Sequence, residues 1–163
     1  MRCSLKLGVV TAIFAFATLT FATDISFTYS GSGFTGSGVF TAIDQGGGTY
    51  LVTGVNGQQN GMPFSGVEPV TPQLPGWAYN NLAYLNSTPQ LDIDGVLLDW
   101  SGGGVVNLFY DSGFNGGSYA LENSPTEYAI DFSASATPEP NTLLMSGSGL
   151  IGLAGLARKR LFS

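Results

Sequence analysis

The feature that most limits how this chain can fold is the absence of lysine, arginine and histidine between Thr23 and Thr137. The same segment carries ten of the eleven acidic residues of the chain. Since no cation is present, no side-chain ion pair can form within the segment, so apolar burial and hydrogen bonding must hold it together. A segment without cations cannot neutralise phosphates either, which excludes nucleic-acid binding.

Apolar and polar residues alternate along short stretches of this segment. Ile25, Phe27 and Tyr29 alternate with serine and threonine, and a period of two predicts a half-buried strand. Further strands are predicted at residues 38–43, 49–55, 62–67, 82–85, 96–100, 105–110, 118–121 and 126–133. The pattern predicts an all-β domain of about eight to nine antiparallel strands, arranged as a sandwich or as a small barrel. It does not distinguish between these two arrangements.

Glycine and asparagine mark the predicted turns. Asn56-Gly57 and Asn60-Gly61 predict tight turns, because both residue types tolerate positive φ. Residues 31–36 match G-x-G-x-x-G, but predicted strands flank them on both sides, so a hairpin turn is favoured over a nucleotide site. Pro63 cannot donate a backbone hydrogen bond, which predicts that strand 62–67 lies at a sheet edge.

The N-terminus has the composition of a targeting segment. Residues 1–22 combine two basic residues, an apolar stretch and a small residue before Thr23. They predict a secretory signal peptide, with a retained N-terminal anchor as the alternative. The only cysteine, Cys3, lies inside it, so the exported body has no disulfide and no thiolate. The β domain is predicted over 23–133, followed by a small, polar linker over 134–141.

An aromatic pair follows a proline-rich loop. Pro69, Pro72 and Pro75 recur at every third residue and predict a stiff, extended surface loop. Trp77 and Tyr79 come directly after it and are a candidate exposed platform for sugar rings or for another protein. The alternative is that both rings pack into the β core, where aromatic side chains are common.

Three aspartates are the candidate metal ligands. Asp92 and Asp94 precede Gly95, and Asp99 follows; closely spaced carboxylates of this kind can bind Ca²⁺. A third oxygen donor before the glycine and a later glutamate are missing from the EF-hand pattern, and Asp94-Gly95 by itself predicts an ordinary hairpin turn. No other cofactor is expected.

The side chains that most catalytic sites need are missing from the body. Without histidine, cysteine or lysine, a base-activated nucleophile cannot be built. Glycoside hydrolysis needs only two facing carboxylates, but ten acids offer many pairs and none is singled out. We therefore expect a protein that is not an enzyme, with a glycan-active hydrolase as the weaker alternative.

The C-terminal segment combines three elements in a fixed order. Pro138-Glu139-Pro140 comes first, an apolar run over 143–157 comes second, and Arg158-Lys159-Arg160 comes almost at the end. The run spans about 22 Å as a helix, which is short of the roughly 30 Å hydrocarbon core. It predicts a membrane-spanning sorting helix over 142–157 and a cytoplasmic basic tail over 158–163. A C-terminal core helix is the alternative. The β domain is thus expected between an N-terminal signal helix and a C-terminal hydrophobic helix.

This C-terminal segment resembles the PEP-CTERM sorting domain of Gram-negative bacteria. The resemblance implies an exosortase, a membrane protease-transpeptidase, as the partner, with Pro138, Glu139 and Pro140 as recognition residues. It also implies export and association with extracellular polysaccharide and biofilm matrices. Together with the composition of the body, it leads us to expect a non-enzymatic protein of the cell surface or extracellular matrix, anchored in the membrane before processing. The alternative is a carbohydrate-binding module of the exopolysaccharide matrix.

Overall fold

The structure, a computed structural model, describes residues 22–123 and 125–137. Within them the chain forms nine antiparallel strands and one turn of 3-10 helix at Phe114–Gly116. The strands are β1 Ala22–Gly31, β2 Phe34–Gly46, β3 Thr49–Gln59, β4 Met62–Val67, β5 Leu82–Tyr84, β6 Val96–Trp100, β7 Val105–Asp111, β8 Ser118–Asn123 and β9 Thr126–Ala136. The all-β prediction is confirmed. Both predicted terminal helices lie outside the described residues.

Eight of the strands close into a barrel. The pairing order is β2-β1-β9-β8-β7-β6-β4-β3, and β3 pairs again with β2. The short β5 is an extra strand that pairs with the first residues of β3. Because the ladder returns to its first strand, the arrangement is a closed barrel rather than a sandwich of two sheets.

Apolar side chains fill the interior of the barrel. The predicted alternation in β1 places Ile25, Phe27 and Tyr29 inside, each at most 3% exposed. Phe27 stacks on Phe40 of β2 with ring centroids 4.0 Å apart. The rest of this core comes from the seven remaining barrel strands, from β5 and from the segment after β5. Apolar burial therefore holds the barrel together, as the absence of cations requires.

One residue bridges β3 to its neighbours where strand pairing stops. β3 pairs with β4 only at Gln58 and Gln59, which leaves its middle residues without a strand partner on that side. There the Val52 N–H donates to the carbonyl oxygen of Asn81 at 2.8 Å. Asn81 is 2% exposed and takes a left-handed backbone conformation with φ of 57°, which asparagine tolerates better than most residues.

The remaining polar groups of Asn81 reach two further segments. Its N–H donates to the Gly95 carbonyl oxygen at 2.9 Å. Its Nδ2 donates to the Glu68 carbonyl oxygen at 2.7 Å, and its Oδ1 accepts from the Leu97 N–H at 3.0 Å. Asn81 thus extends the β3–β5 ladder by one residue and links β3, the segment after β4 and β6.

A second, smaller apolar layer lies on the outside of β6, β7 and β8. Leu97 is fully buried, yet it lies between Val96 and Leu98 of the interior core, so it faces outward. The loop before β5 covers this surface, and Asn107 holds it there by donating to the Ala78 carbonyl oxygen at 3.1 Å. The long connection after β4 is therefore packed onto the barrel wall.

Two sequence predictions about local structure are wrong. Asn56-Gly57 is not a turn but lies inside β3, where Gly57 pairs with Gly38. A Cβ on Gly57 would lie 2.5 Å from the Ser37 carbonyl oxygen, so glycine is needed there for close strand approach. Pro63 is not at an edge, since β4 pairs with both β3 and β6. Its carbonyl oxygen accepts from the Ser101 Oγ at 2.6 Å.

Two other predicted turns are confirmed. Asn60 and Gly61 both have positive φ, at 50° and 80°, and join β3 to β4. The G-x-G-x-x-G segment begins at the hairpin turn between β1 and β2, where Gly31 pairs with Phe34. At the other end of the chain, β9 continues to Ala136, past the predicted end of the domain at 133.

Candidate functional site

The exposed aromatic platform predicted from the sequence does not form. Tyr79 is only 4% exposed, while Trp77 is half-buried. The Tyr79 hydroxyl donates to the Pro69 carbonyl oxygen at 2.8 Å and accepts from the Leu74 N–H at 2.8 Å. Tyr79 therefore holds the proline-rich loop in place, which is a structural role that its spacing from Trp77 did not reveal.

Asp92, a predicted calcium ligand, is occupied by hydrogen bonds from the protein. Its Oδ1 accepts from the Gly95 N–H at 2.9 Å and the Asp94 N–H at 3.1 Å. Its Oδ2 accepts from Asn80 Nδ2 at 2.7 Å and the Tyr84 hydroxyl at 2.8 Å. Partial burial acts to raise the pKa of Asp92, but these hydrogen bonds outweigh it and hold the pKa below its ordinary value. The charged carboxylate thus organises the segment that leads into β6.

The three predicted calcium ligands are not brought together. Asp94 lies near Asp92 through Asn80, whose Nδ2 is 3.5 Å from the Asp94 Oδ2. Asp99 instead lies beside Glu68, and its hydrogen bond to that carboxyl, with burial and charge repulsion, raises the pKa of Glu68. Residues 22–123 and 125–137 contain no group of three or more His, Cys, Asp or Glu side chains placed to hold a metal. Calcium binding stays a prediction.

The end of β9 is held by a side chain from the loop after β5. β9 pairs with β8 only up to Ile130, so its later residues have a strand partner, β1, on one side alone. On the other side Gln90 Nε2 donates to the Ala134 carbonyl oxygen at 2.6 Å, and Gln90 Oε1 accepts from the Ala134 N–H at 2.8 Å. Gln90 therefore takes the place of a strand residue at this position and blocks an open edge.

Replacing Gln90 by alanine should loosen the end of β9. The Ala134 N–H and carbonyl lose their only partner on that side, so we expect a loss of about 2 kcal/mol in stability and faster exchange of the Ala134 amide hydrogen. Hydrogen exchange of the folded protein measures this. Gln45→Ala is the matched control, because Gln45 is exposed and makes only a 3.4 Å hydrogen bond to the Ile43 carbonyl oxygen of its own strand, β2. Equal exchange at Ala134 in both variants would rule out this role for Gln90.

Both ends of the described chain leave the barrel at the same place. Ile25 near the start of β1 pairs with Ala136 at the end of β9. The Thr137 N–H donates to the Asp24 carbonyl oxygen at 2.8 Å, and the hydroxyls of Ser26 and Thr137 lie 3.0 Å apart. The segments before and after the barrel, both predicted to serve targeting, are therefore attached at one end.

The segment after the barrel matches a known protein family. Residues 136–160 match the family model of the PEP-CTERM protein-sorting motif. The chain carries a PEP-CTERM sorting motif. The motif implies an exosortase as the processing enzyme and an exported, envelope-associated protein. The search of curated proteins and the search of solved structures each found no match.

The PEP-CTERM match begins at Ala136, which is also the last residue of β9. Six residues, 137–142, separate β9 from the apolar run, and they span at most about 22 Å when fully extended. The barrel is thus directly joined to its sorting signal. Pro138, Glu139 and Pro140 lie outside the described residues, as do Arg158, Lys159 and Arg160. In the described part of the chain, no helix is long and apolar enough to span a membrane.

Gln90 and Asn81 are the residues that sequence reasoning missed. The contact between Gln90 and Ala134 joins positions 44 residues apart, and no local pattern predicts such a pair. Asn81 carried one weak signal, since asparagine is common where φ is positive. Its four hydrogen bonds depend on three separate segments and appear only in the folded barrel.

Proposed function

We propose that this protein is a non-enzymatic β-barrel that is exported, processed by an exosortase at its PEP-CTERM motif, and retained at the cell surface or in the extracellular matrix. The observation that carries this proposal is the position of the motif directly after the last strand of a folded domain. A sorting signal joined to a compact barrel is the arrangement of a cargo domain with its delivery segment. The short connection would keep the barrel next to the membrane until processing.

The chemistry of the barrel supports a role without catalysis. Asp92 is engaged by four donors, so it is poorly placed to transfer a proton. Glu68 and Asp99 share a hydrogen bond, whereas the two carboxyl groups of a glycosidase lie at least about 5 Å apart. The body contains no histidine, cysteine or lysine to serve as an alternative base or nucleophile. A binding or structural role fits these residues better.

Carbohydrate binding in the exopolysaccharide matrix is the second candidate function. The aromatic pair does not support it, because Tyr79 is buried. The observation that favours it is a row of exposed hydroxyl groups on the outside of β9, β1 and β2. Such groups can hydrogen-bond sugars without any charge.

Intact-mass measurement of the protein isolated from cells tests the proposed function. We expect the chain to begin at Thr23 and to have lost the apolar run, so that its mass falls well below the 16.9 kDa of the complete chain. Cells that lack the exosortase provide the control, and there the C-terminal segment should remain. A surface-exposed or released form that still ends at Ser163 in normal cells would contradict the proposal.

A further inference from the structure

Exposed hydroxyl groups lie in register on three neighbouring strands of the barrel. Thr28 of β1 pairs with Ser37 of β2 on one side and with Ser133 of β9 on the other. Ser30 pairs with Thr35 of β2. All five side chains are exposed, and we call them the hydroxyl face. Neighbouring strands are about 4.8 Å apart and same-face residues about 6.7 Å apart along a strand, so the hydroxyls form a regular two-dimensional array.

The hydroxyl face lines an open groove. Its five residues lie around a groove of about 440 Å³, together with Gln58 and Asn60 from β3 and its turn. Behind the groove, β2 has glycine at two inward-facing positions. A Cβ on Gly36 would overlap the Tyr29 ring, and one on Gly38 would lie 2.5 Å from the Asn56 carbonyl oxygen. The missing side chains let β2 lie close to the Tyr29 ring and to the backbone of β3 behind the groove.

The hydroxyl groups of this face are available to a partner. Thr28, Ser30, Ser37 and Ser133 make no side-chain hydrogen bond to another described residue, and the Thr35 Oγ1 has only a 3.3 Å contact with Asn60. Each hydroxyl can donate one hydrogen bond and accept two. A ligand rich in groups that both donate and accept would satisfy them.

The charge at the groove indicates which class of ligand it can bind. Among the described residues, Asp131, which pairs with Ser30, is the only charged one at the groove, and residues 23–137 contain no cation. A polyanion would find no positive partner in the barrel and would be repelled by its acidic residues. The Asp131 carboxylate can instead accept hydrogen bonds from neutral hydroxyl donors. An uncharged polymer of hydroxyl groups therefore fits the groove best.

We propose that the hydroxyl face binds a neutral polysaccharide strand through hydrogen bonds from sugar hydroxyls. The two aromatic residues at the groove, Tyr29 and Phe132, are 3% and 8% exposed and face the interior, so stacking on sugar rings contributes little. Binding then depends on several weak contacts along the polysaccharide chain, and it is strengthened when many copies of the protein bind one polymer. This inference rests on the proposed function, because it requires the barrel to reach the matrix.

The test uses the protein as isolated from cells, with surfaces coated in dextran, mannan or galactan as neutral probes and alginate as the anionic probe. We expect binding to at least one neutral probe and none to alginate. The double variant Thr28→Val/Ser133→Ala removes two central hydroxyls from a cross-strand pair, and valine retains the shape of threonine. It should weaken binding about tenfold, as the loss of two hydrogen bonds predicts.

The matched control is Thr41→Val/Ser135→Ala, which makes the same chemical changes at exposed positions of β2 and β9 outside the groove. Its binding should stay within about twofold of the unaltered protein. Circular dichroism should show an intact barrel in both variants. Absence of binding to all neutral probes, binding to alginate alone, or an equal loss in the control would each overturn the inference. Correct tail processing in the same cells would show that the proposed function stands even then.

Discussion

Replacing Glu139 by alanine should leave export intact and stop removal of the C-terminal segment. Glu139 is the only acidic residue after Asp131 and lies between two prolines. An enzyme that binds this motif can therefore recognise a single negative charge. Loss of one partner of a buried, hydrogen-bonded charge pair costs about 2–5 kcal/mol, so processing should fall at least about 30-fold.

Immunoblots of membrane and released fractions, with intact-mass measurement of the product, would reveal this effect. Asn141→Ala is the matched control, because it changes a polar residue of the same segment without altering its charge or its prolines. The barrel of the Glu139→Ala variant should remain folded, since β9 ends before the motif. Normal processing of that variant would exclude Glu139 as a recognition residue and leave the role of the prolines to be tested separately.

Replacing Asn81 by alanine should destabilise the barrel by about 4 kcal/mol. The buried Leu97 N–H and the partly buried Glu68 carbonyl lose their hydrogen-bond partner, and each loss costs about 1–3 kcal/mol. Alanine in the left-handed conformation adds about 1 kcal/mol. Because whole domains are stable by only about 5–15 kcal/mol, this one side chain accounts for a large fraction of the total.

Urea unfolding of two further variants separates these contributions. Asn115 has a similar φ of 49° but is exposed, so Asn115→Ala should cost only the backbone strain of about 1 kcal/mol. Asn81→Gly removes the strain but not the loss of hydrogen bonds, and it should still cost about 3 kcal/mol. If Asn81→Gly unfolds at the same urea concentration as the unaltered protein, the Asn81 side chain does not stabilise the barrel wall.

Strand positions were predictable from the sequence where burial alternates. β4 and β6 match their predicted bounds. The seven remaining strands were located, but with errors at their ends. The turn predictions failed where one residue type is compatible with two structural roles. Asn56-Gly57 has the composition of a turn, but Gly57 serves the close approach of β3 to β2. Local propensity cannot distinguish a turn glycine from a glycine needed for close strand packing, because the contact that requires glycine comes from another strand.

The candidate site residues show the same limit. Tyr79 was predicted as part of an exposed platform, but its hydroxyl is held by the loop that precedes it. The aspartates at 92, 94 and 99 are close in sequence, yet Asp99 faces Glu68 instead of Asp92. Spacing in the sequence shows which side chains are close along the chain. It does not predict which residues they contact in the folded protein.

The sequence by itself determined the class of fold, the sorting motif and the forces available to the body. Alternation with a period of two, a C-terminal motif and the absence of cations are all local properties of the chain. Only the tertiary structure decided that the sheet closes, that Asn81 and Gln90 bond to strands where strand pairing is missing, and that hydroxyl groups from β9, β1 and β2 form one surface. These features join residues far apart in the chain, and such contacts are specified by the packing of the whole barrel.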